Sequence, residues 1–217
     1  MRNRFDAQLE ILHQKLIEMG NLCEQVISMT YKVLMEEDCK AAKELIKKDT
    51  QIDQVEREIE ALCLKLLLQQ QPVATDLRKI SAALKMITDM ERIGDQAADI
   101  AEIIMTGHMK APSKELPLGK MAEATVFMVT ESVNAYVWQD LDAAQKVIEY
   151  DDIVDTLFLE VKHMLISQMD KDPMIHEHIM DLLMIAKYYE RIGDHATNIS
   201  EWVEFSITGK HREDEDL

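Results

Sequence analysis

Proline and glycine are scarce, with four Pro and six Gly in 217 residues. Sheets joined by tight turns draw on both at their reversals, and strand-forming aromatics supply only 5% of the chain, which argues against an all-β sandwich or barrel. Cysteine is confined to Cys23, Cys39 and Cys63, with no C-x-x-C pair. That usage fits reduced thiols in a cytoplasmic protein better than a disulfide framework. No apolar run reaches the length of about 18 residues that a spanning helix needs, and Met1 to Asp6 passes into charge without an apolar segment, so the expectation is neither export nor membrane insertion. Basic residues are in deficit, 24 Lys+Arg against 41 Asp+Glu for a net charge of −17. A phosphate backbone would be repelled by such a surface, and no basic patch offsets it, so no nucleic-acid partner is expected.

What the chain does have is apolar periodicity at helical spacing. Leu9, Leu12, Leu16, Met19, Cys23, Val26, Thr30 and Val33 recur at intervals of three and four, the signature of one long amphipathic helix. A second series, from Ala42 through Leu66, ends near Gln69-Gln70-Gln71-Pro72, and a third, from Ile80 through Met105, ends near Gly107. Helices of about 30 residues would each run about 45 Å. The 15 methionines are dispersed at core spacings and read as packing residues.

The pattern then starts again. Asp38-Cys39-Lys40-Ala41-Ala42 matches Asp140-Leu141-Asp142-Ala143-Ala144, and Asp49-x-x-x-Asp53 matches Asp151-x-x-x-Asp155, both displaced by 102 residues. Glu91-Arg92-Ile93-Gly94-Asp95 recurs as Glu190-Arg191-Ile192-Gly193-Asp194, displaced by 99. The expected architecture is therefore all-α, two tandem three-helix bundles related by internal duplication. Residues 1–109 form the first bundle and 120–208 the second. Pro112, Pro117 and Gly119 mark 110–119 as the linker, and the acidic segment 209–217 reads as a disordered tail.

Acidic residues form stripes on these helices. Glu91, Asp95, Asp99 and Glu102 fall at i, i+4, i+8 and i+11, within about 80° of arc, and Asp49, Asp53, Glu56 and Glu60 form a similar stripe one helix earlier. Like charges at i,i+4 destabilise a helix by a few tenths of a kcal/mol per pair, so stripes that recur in both halves imply something cationic facing them. If neighbouring helices turn these stripes together, their oxygens suit hard ions. The candidate metal ligands are Asp49, Asp53, Glu91, Asp95 and Asp99 in the first half and Asp151, Asp155, Glu190, Asp194 and Asn198 in the second. Mg²⁺, Mn²⁺, iron and Zn²⁺ are the candidate ions. The second set should carry less negative charge, since Phe158 and Asn198 stand where Glu56 and Asp99 stand in the first. Gly94 and Gly193, each disfavoured in a helix by about 1 kcal/mol relative to Ala, suggest close helix approach.

The duplicated D-x-x-x-D helices, the stretch Gln71-Pro72-Val73-Ala74-x-Asp76-Leu77-Arg78, and the E-R-I-G-D-x-A-x-(D/N)-I-(A/S)-E segments at 91–102 and 190–201 together resemble the PhoU family over nearly the whole chain. The resemblance implies metal clusters held by the acidic pairs, a homodimer, and a cytoplasmic adaptor that represses phosphate uptake and phosphate-starvation genes. It would act through a phosphate ABC transporter and a sensor histidine kinase, meeting the membrane only through those partners. The rival reading is a ferritin-like di-iron oxidase or metal-storage protein, because Glu10-x-x-His13 and Glu160-x-x-His163 have the E-x-x-H spacing of such sites. Those pairs do not occupy equivalent repeat positions, and neither a Gly-rich phosphate loop nor a nucleophile triad is present. The expectation is a non-enzymatic protein. His195 reads as a residue flanking the second acidic stripe rather than a ligand.

Overall fold

The computed structural model describes residues 2–70, 73–107, 109–169 and 176–210. These form six helices: α1 (Arg2–Glu36), α2 (Cys39–Gln70), α3 (Ala74–Thr106), α4 (Leu118–Trp138), α5 (Leu141–Met169) and α6 (His176–Thr208). Helix α1 has 35 residues, about 50 Å of helix. Of the segment 209–217, only Gly209 and Lys210 belong to the described residues, so the tail reading falls almost wholly outside them. The breaks at Gln71–Pro72 and Asp172–Pro173 also lie outside.

The two tight reversals are built alike. Glu37 and Gln139 end their helices with φ of 55° and 53°, the left-handed conformation that turns the chain. The following aspartates cap the next helix. Asp38 Oδ1 accepts the amides of Lys40 (2.9 Å) and Ala41 (3.1 Å), and Asp140 Oδ1 accepts that of Ala143 (3.0 Å). The repeated D-x-x-A-A motif is thus a helix-start signal in each half.

Helices α1–α3 and α4–α6 form the two expected three-helix bundles, but the bundles are fused rather than separate. Helix α3 packs along α6 and α1 along α4, and the buried apolar side chains, from Leu12 through Val203, make one continuous cluster. Buried hydroxyls tie the halves together: the Tyr136 phenol donates to the Lys79 carbonyl at 2.7 Å, and Thr30 and Tyr189 share a bond of 2.6 Å.

The linker is shorter than its composition suggests. Helix α4 starts at Leu118, so Gly119 is helical, and a Cβ there would stand 2.8 Å from Tyr31 Cζ. This glycine serves a helix contact, not a turn. Among the described residues no helix is long and apolar enough to cross a membrane, and all three cysteines are free thiols, Cys23 and Cys63 buried and Cys39 exposed.

Candidate metal centre

Within the first bundle the apolar stripes of α2 and α3 face the core, which leaves the acidic stripes flanking one helix–helix seam. Ile52, Val55 and Ile59 on α2 and Ile93, Ala97 and Ile100 on α3 are buried beneath it. Above them Asp49 is half-buried, and its carboxyl is pushed up to about 6 by burial first, then by the charges of Asp53, Asp95, Glu91 and Asp99. All five residues expected at the first centre therefore lie within electrostatic reach of one point. Glu56 joins them: its pKa is raised by burial, Glu60 and Asp53, and it in turn helps raise that of Glu91.

Asp49 is the innermost member. Its Oδ1 is buried without a hydrogen-bond partner, and it lies 2.6 Å from where a Cβ on Gly94 would stand. Glycine recurs in the E-R-I-G-D segment because this carboxylate occupies the space a side chain would take. The same packing appears in the second half, more loosely, with Asp151 Oδ1 3.1 Å from the Cβ position of Gly193.

Part of the first cluster's charge is met by arginines on the same helices. Arg92 reaches Asp95 at 2.8 Å and Glu91 at 3.4 Å, and Arg57 reaches Asp53 at 3.4 Å. None of these pairs engages Asp49. The donors are all oxygen and the innermost oxygen is buried and unpartnered, so the residues suit a hard cation in kind. Among the described residues no three His, Cys, Asp or Glu side chains stand close enough together to make a finished cage. The carboxylates act on one another's charge without converging on one point.

The second bundle repeats the plan with fewer acids. Asp151 is pushed up to about 6 by burial, then by Asp194, Asp155, Glu190 and Asp152. Lys187 pairs with Glu190 inside this cluster, a counter-ion that the spacing of acids does not reveal. Asn198 is directed elsewhere, its amide donating to Asp89 Oδ1 on α3 at 3.1 Å, beside His195 Nδ1 at 2.9 Å from the same oxygen. The flanking histidine is thus part of the joint between the bundles. Asp99 has a matching neighbour across that joint, the Tyr188 phenol on α6, whose pKa is raised by burial and then by Asp99. Position 89 meets 198 and position 99 meets 188, so α3 and α6 run antiparallel about a local pseudo-dyad.

The E-x-x-H pairs are not drawn together. Glu160 and His163 are exposed on α5, while His13 on α1 is half-buried and meets the Tyr136 ring edge-on at 5.9 Å.

Two fused three-helix bundles, each presenting a carboxylate seam between its second and third helices, define a class of duplicated all-α proteins. The chain matches the family described as "PhoU domain" twice, over residues 16–104 and 118–203. It belongs to the PhoU family. It is 38% identical over 212 residues, 96% of each chain, to the "Phosphate-specific transport system accessory protein PhoU homolog" of Clostridium acetobutylicum. The crystal structure of PhoU from Pseudomonas aeruginosa superposes with a TM-score of 0.88 at 32% identity, covering 95% of this chain and all of that one. The phosphate transport system regulatory protein PhoU from Streptococcus pneumoniae gives 0.85 at 25% identity, covering 95% of this chain and 98% of the other.

Proposed function

We propose that this chain is a cytoplasmic accessory protein of a phosphate-specific transport system that binds metal through its carboxylate seams and represses phosphate uptake and phosphate-starvation signalling. Support for the transport role is the near-full-length likeness to relatives bearing that name. The metal role is carried by one observation, the buried and unpartnered Asp49 oxygen on a residue whose charge is opposed by four neighbouring carboxylates. Mg²⁺, Mn²⁺, ferric iron or Zn²⁺ would be held by Asp49, Asp53, Glu91, Asp95 and Asp99, and in the second half by Asp151, Asp155, Glu190 and Asp194. Such an ion would supply positive charge to offset the clustered carboxylates; the protein supplies oxygen donors on two helices.

The acidic surface favours basic patches on its partners. By the family resemblance these are a phosphate ABC transporter and a sensor histidine kinase, met by a homodimer at the membrane surface. Deleting the gene should leave phosphate-starvation genes active in phosphate-rich medium, and normal repression in the deletion strain would remove the regulatory reading. Elemental analysis of chelator-free protein tests the metal reading separately.

The di-iron oxidase reading finds less support. Its two E-x-x-H pairs sit on α1 and α5, which share no substantial packing face, whereas such a site needs its ligands converging in one four-helix core. Stopped-flow oxygen consumption would distinguish them: multiple turnovers abolished by Glu160→Ala would restore the oxidase.

A further inference from the structure

The duplicated halves differ most where their carboxylates meet. With α2 aligned on α5 by the 102-residue displacement and α3 on α6 by the 99-residue one, Glu56, Glu60 and Thr88 correspond to Phe158, Lys162 and Lys187. Lys187 enters the cluster. Its ammonium pairs with Glu190, whose side chain is only 13% exposed, and it lies 5.5 Å from the centre of the Phe158 ring. Its charge also acts on Asp194, opposing the upward push from burial and Glu190. The ammonium is thus held by a largely buried acid and by the ring that replaces an acid of the first half.

In the first cluster the position equivalent to Lys187 holds no cation. Thr88 turns its hydroxyl back to the Leu84 carbonyl at 3.4 Å. Its two arginines, Arg57 and Arg92, are 64% and 55% exposed against 39% for Lys187, and pair at the rim with Asp53, Glu91 and Asp95. The arginines offset part of the first seam's charge from its rim and leave the rest for a diffusible cation, while the second seam has fewer acids and a less exposed ammonium set against them.

We infer that Lys187 is a resident cation that does in the second cluster what a metal ion does in the first, so that the two halves of the protein differ in their dependence on metal. This rests on the metal-binding reading above and adds which half takes metal first and which residue sets that order. The physical reason is direct: a divalent ion entering the α5–α6 seam meets an ammonium and fewer carboxylates, whereas one entering the α2–α3 seam meets more carboxylates, with guanidinium groups only at the exposed rim.

The test uses the full-length protein, stripped with chelator and titrated with Mn²⁺. Electron paramagnetic resonance reports the bound ion, and amide hydrogen exchange reports α2–α3 and α5–α6 separately. In the wild type, α2–α3 should gain protection at Mn²⁺ concentrations about tenfold or more below those that protect α5–α6. Lys187→Thr should lower the concentration needed by α5–α6 by about tenfold, and Thr88→Lys should raise that needed by α2–α3 to a similar extent. Thr88 is exposed, so its replacement tests the idea even if Lys187→Thr perturbs folding. Halves that respond together in the wild type, or an α5–α6 response unmoved by Lys187→Thr, overturn the inference while leaving metal binding intact. Mn²⁺ bound by neither half in any variant overturns the metal reading and this inference with it.

Discussion

Asp49 Oδ1 occupies the space that a side chain at position 94 would fill, 2.6 Å from the Cβ position of Gly94, with Ile52 Cδ1 at 3.0 Å on the other side. Gly94→Ala gains about 1 kcal/mol of helix propensity. It should nevertheless lower stability by about 1–3 kcal/mol net, because both neighbours are constrained by the helix they share. Gly193→Ala meets Asp151 at 3.1 Å and Val154 at 3.4 Å, so it should fall within about 1 kcal/mol of wild type. Urea denaturation of the two variants checks the order, and equal losses would mean the closer approach carries no weight.

A second expectation concerns pH. Asp49 and Asp151 are held near 6 in the fold against 3.8 as the ordinary value. Between those two values the folded chain binds more protons than the unfolded one, so stability falls as pH rises and the loss is complete above about 6. The metal-free protein should therefore melt higher at pH 5 than at pH 7.5. Salt should narrow the gap, since both groups are only half-buried. Asp49→Asn with Asp151→Asn should flatten it. Mn²⁺ should stabilise more at pH 7.5 than at pH 5, where protons compete for the same oxygens. Calorimetry at both pH values, with and without Mn²⁺, decides this.

The buried hydroxyl pair between α1 and α6 gives an asymmetric prediction. Thr30 donates its single proton to the Ile27 carbonyl at 2.6 Å, so Tyr189 is the donor in their 2.6 Å bond. Tyr189→Phe leaves Thr30 satisfied by Ile27 and should destabilise by about 1 kcal/mol. Thr30→Val leaves a fully buried phenol without a partner and should cost about 1–3 kcal/mol. If the tyrosine variant proves the weaker of the two, the donor assignment is reversed.

The periodicity of apolar residues and the 102- and 99-residue displacements make the six helices and their pairing into two bundles legible in the residues alone, because a buried face imposes its spacing on the chain. The carboxylate seam is legible for the same reason: Asp49, Asp53, Glu91 and Asp95 share helix faces. What the spacing does not convey is how the bundles meet. Asp89 looks like one more exposed acid until α6 brings His195 and Asn198 to it, and Lys187 looks like a solvated lysine until Phe158 and Glu190 close around it. Gly119 reads as a linker residue because composition records the absent Cβ but not the Tyr31 ring that requires it. The Asp89 and Gly119 contacts join helices distant in sequence, which local pattern does not encode; Lys187 and Glu190 are i,i+3 neighbours on α6, and only the Phe158 ring on α5 depends on packing between helices.

The antiparallel crossing of α3 and α6 supplies the last prediction. At one end Asp89, 16% exposed, accepts from His195 and Asn198; at the other, Tyr188 faces Asp99. Asp89→Ala removes the partner of the part-buried His195, while the exposed Asn198 turns to water, and should destabilise by about 1–2 kcal/mol. Tyr188→Phe removes one phenol from a carboxylate that water still reaches, and should cost about 0.5–1 kcal/mol. Positions 89 and 99 are about 15 Å apart along α3, so the double variant should show the sum of the single losses within about 0.5 kcal/mol. A double variant whose thermal unfolding instead broadens, as halves that melt separately would make it, would show that the two contacts join the bundles cooperatively. A sharp single transition at unchanged temperature in Asp89→Ala would show that apolar packing alone holds the bundles together.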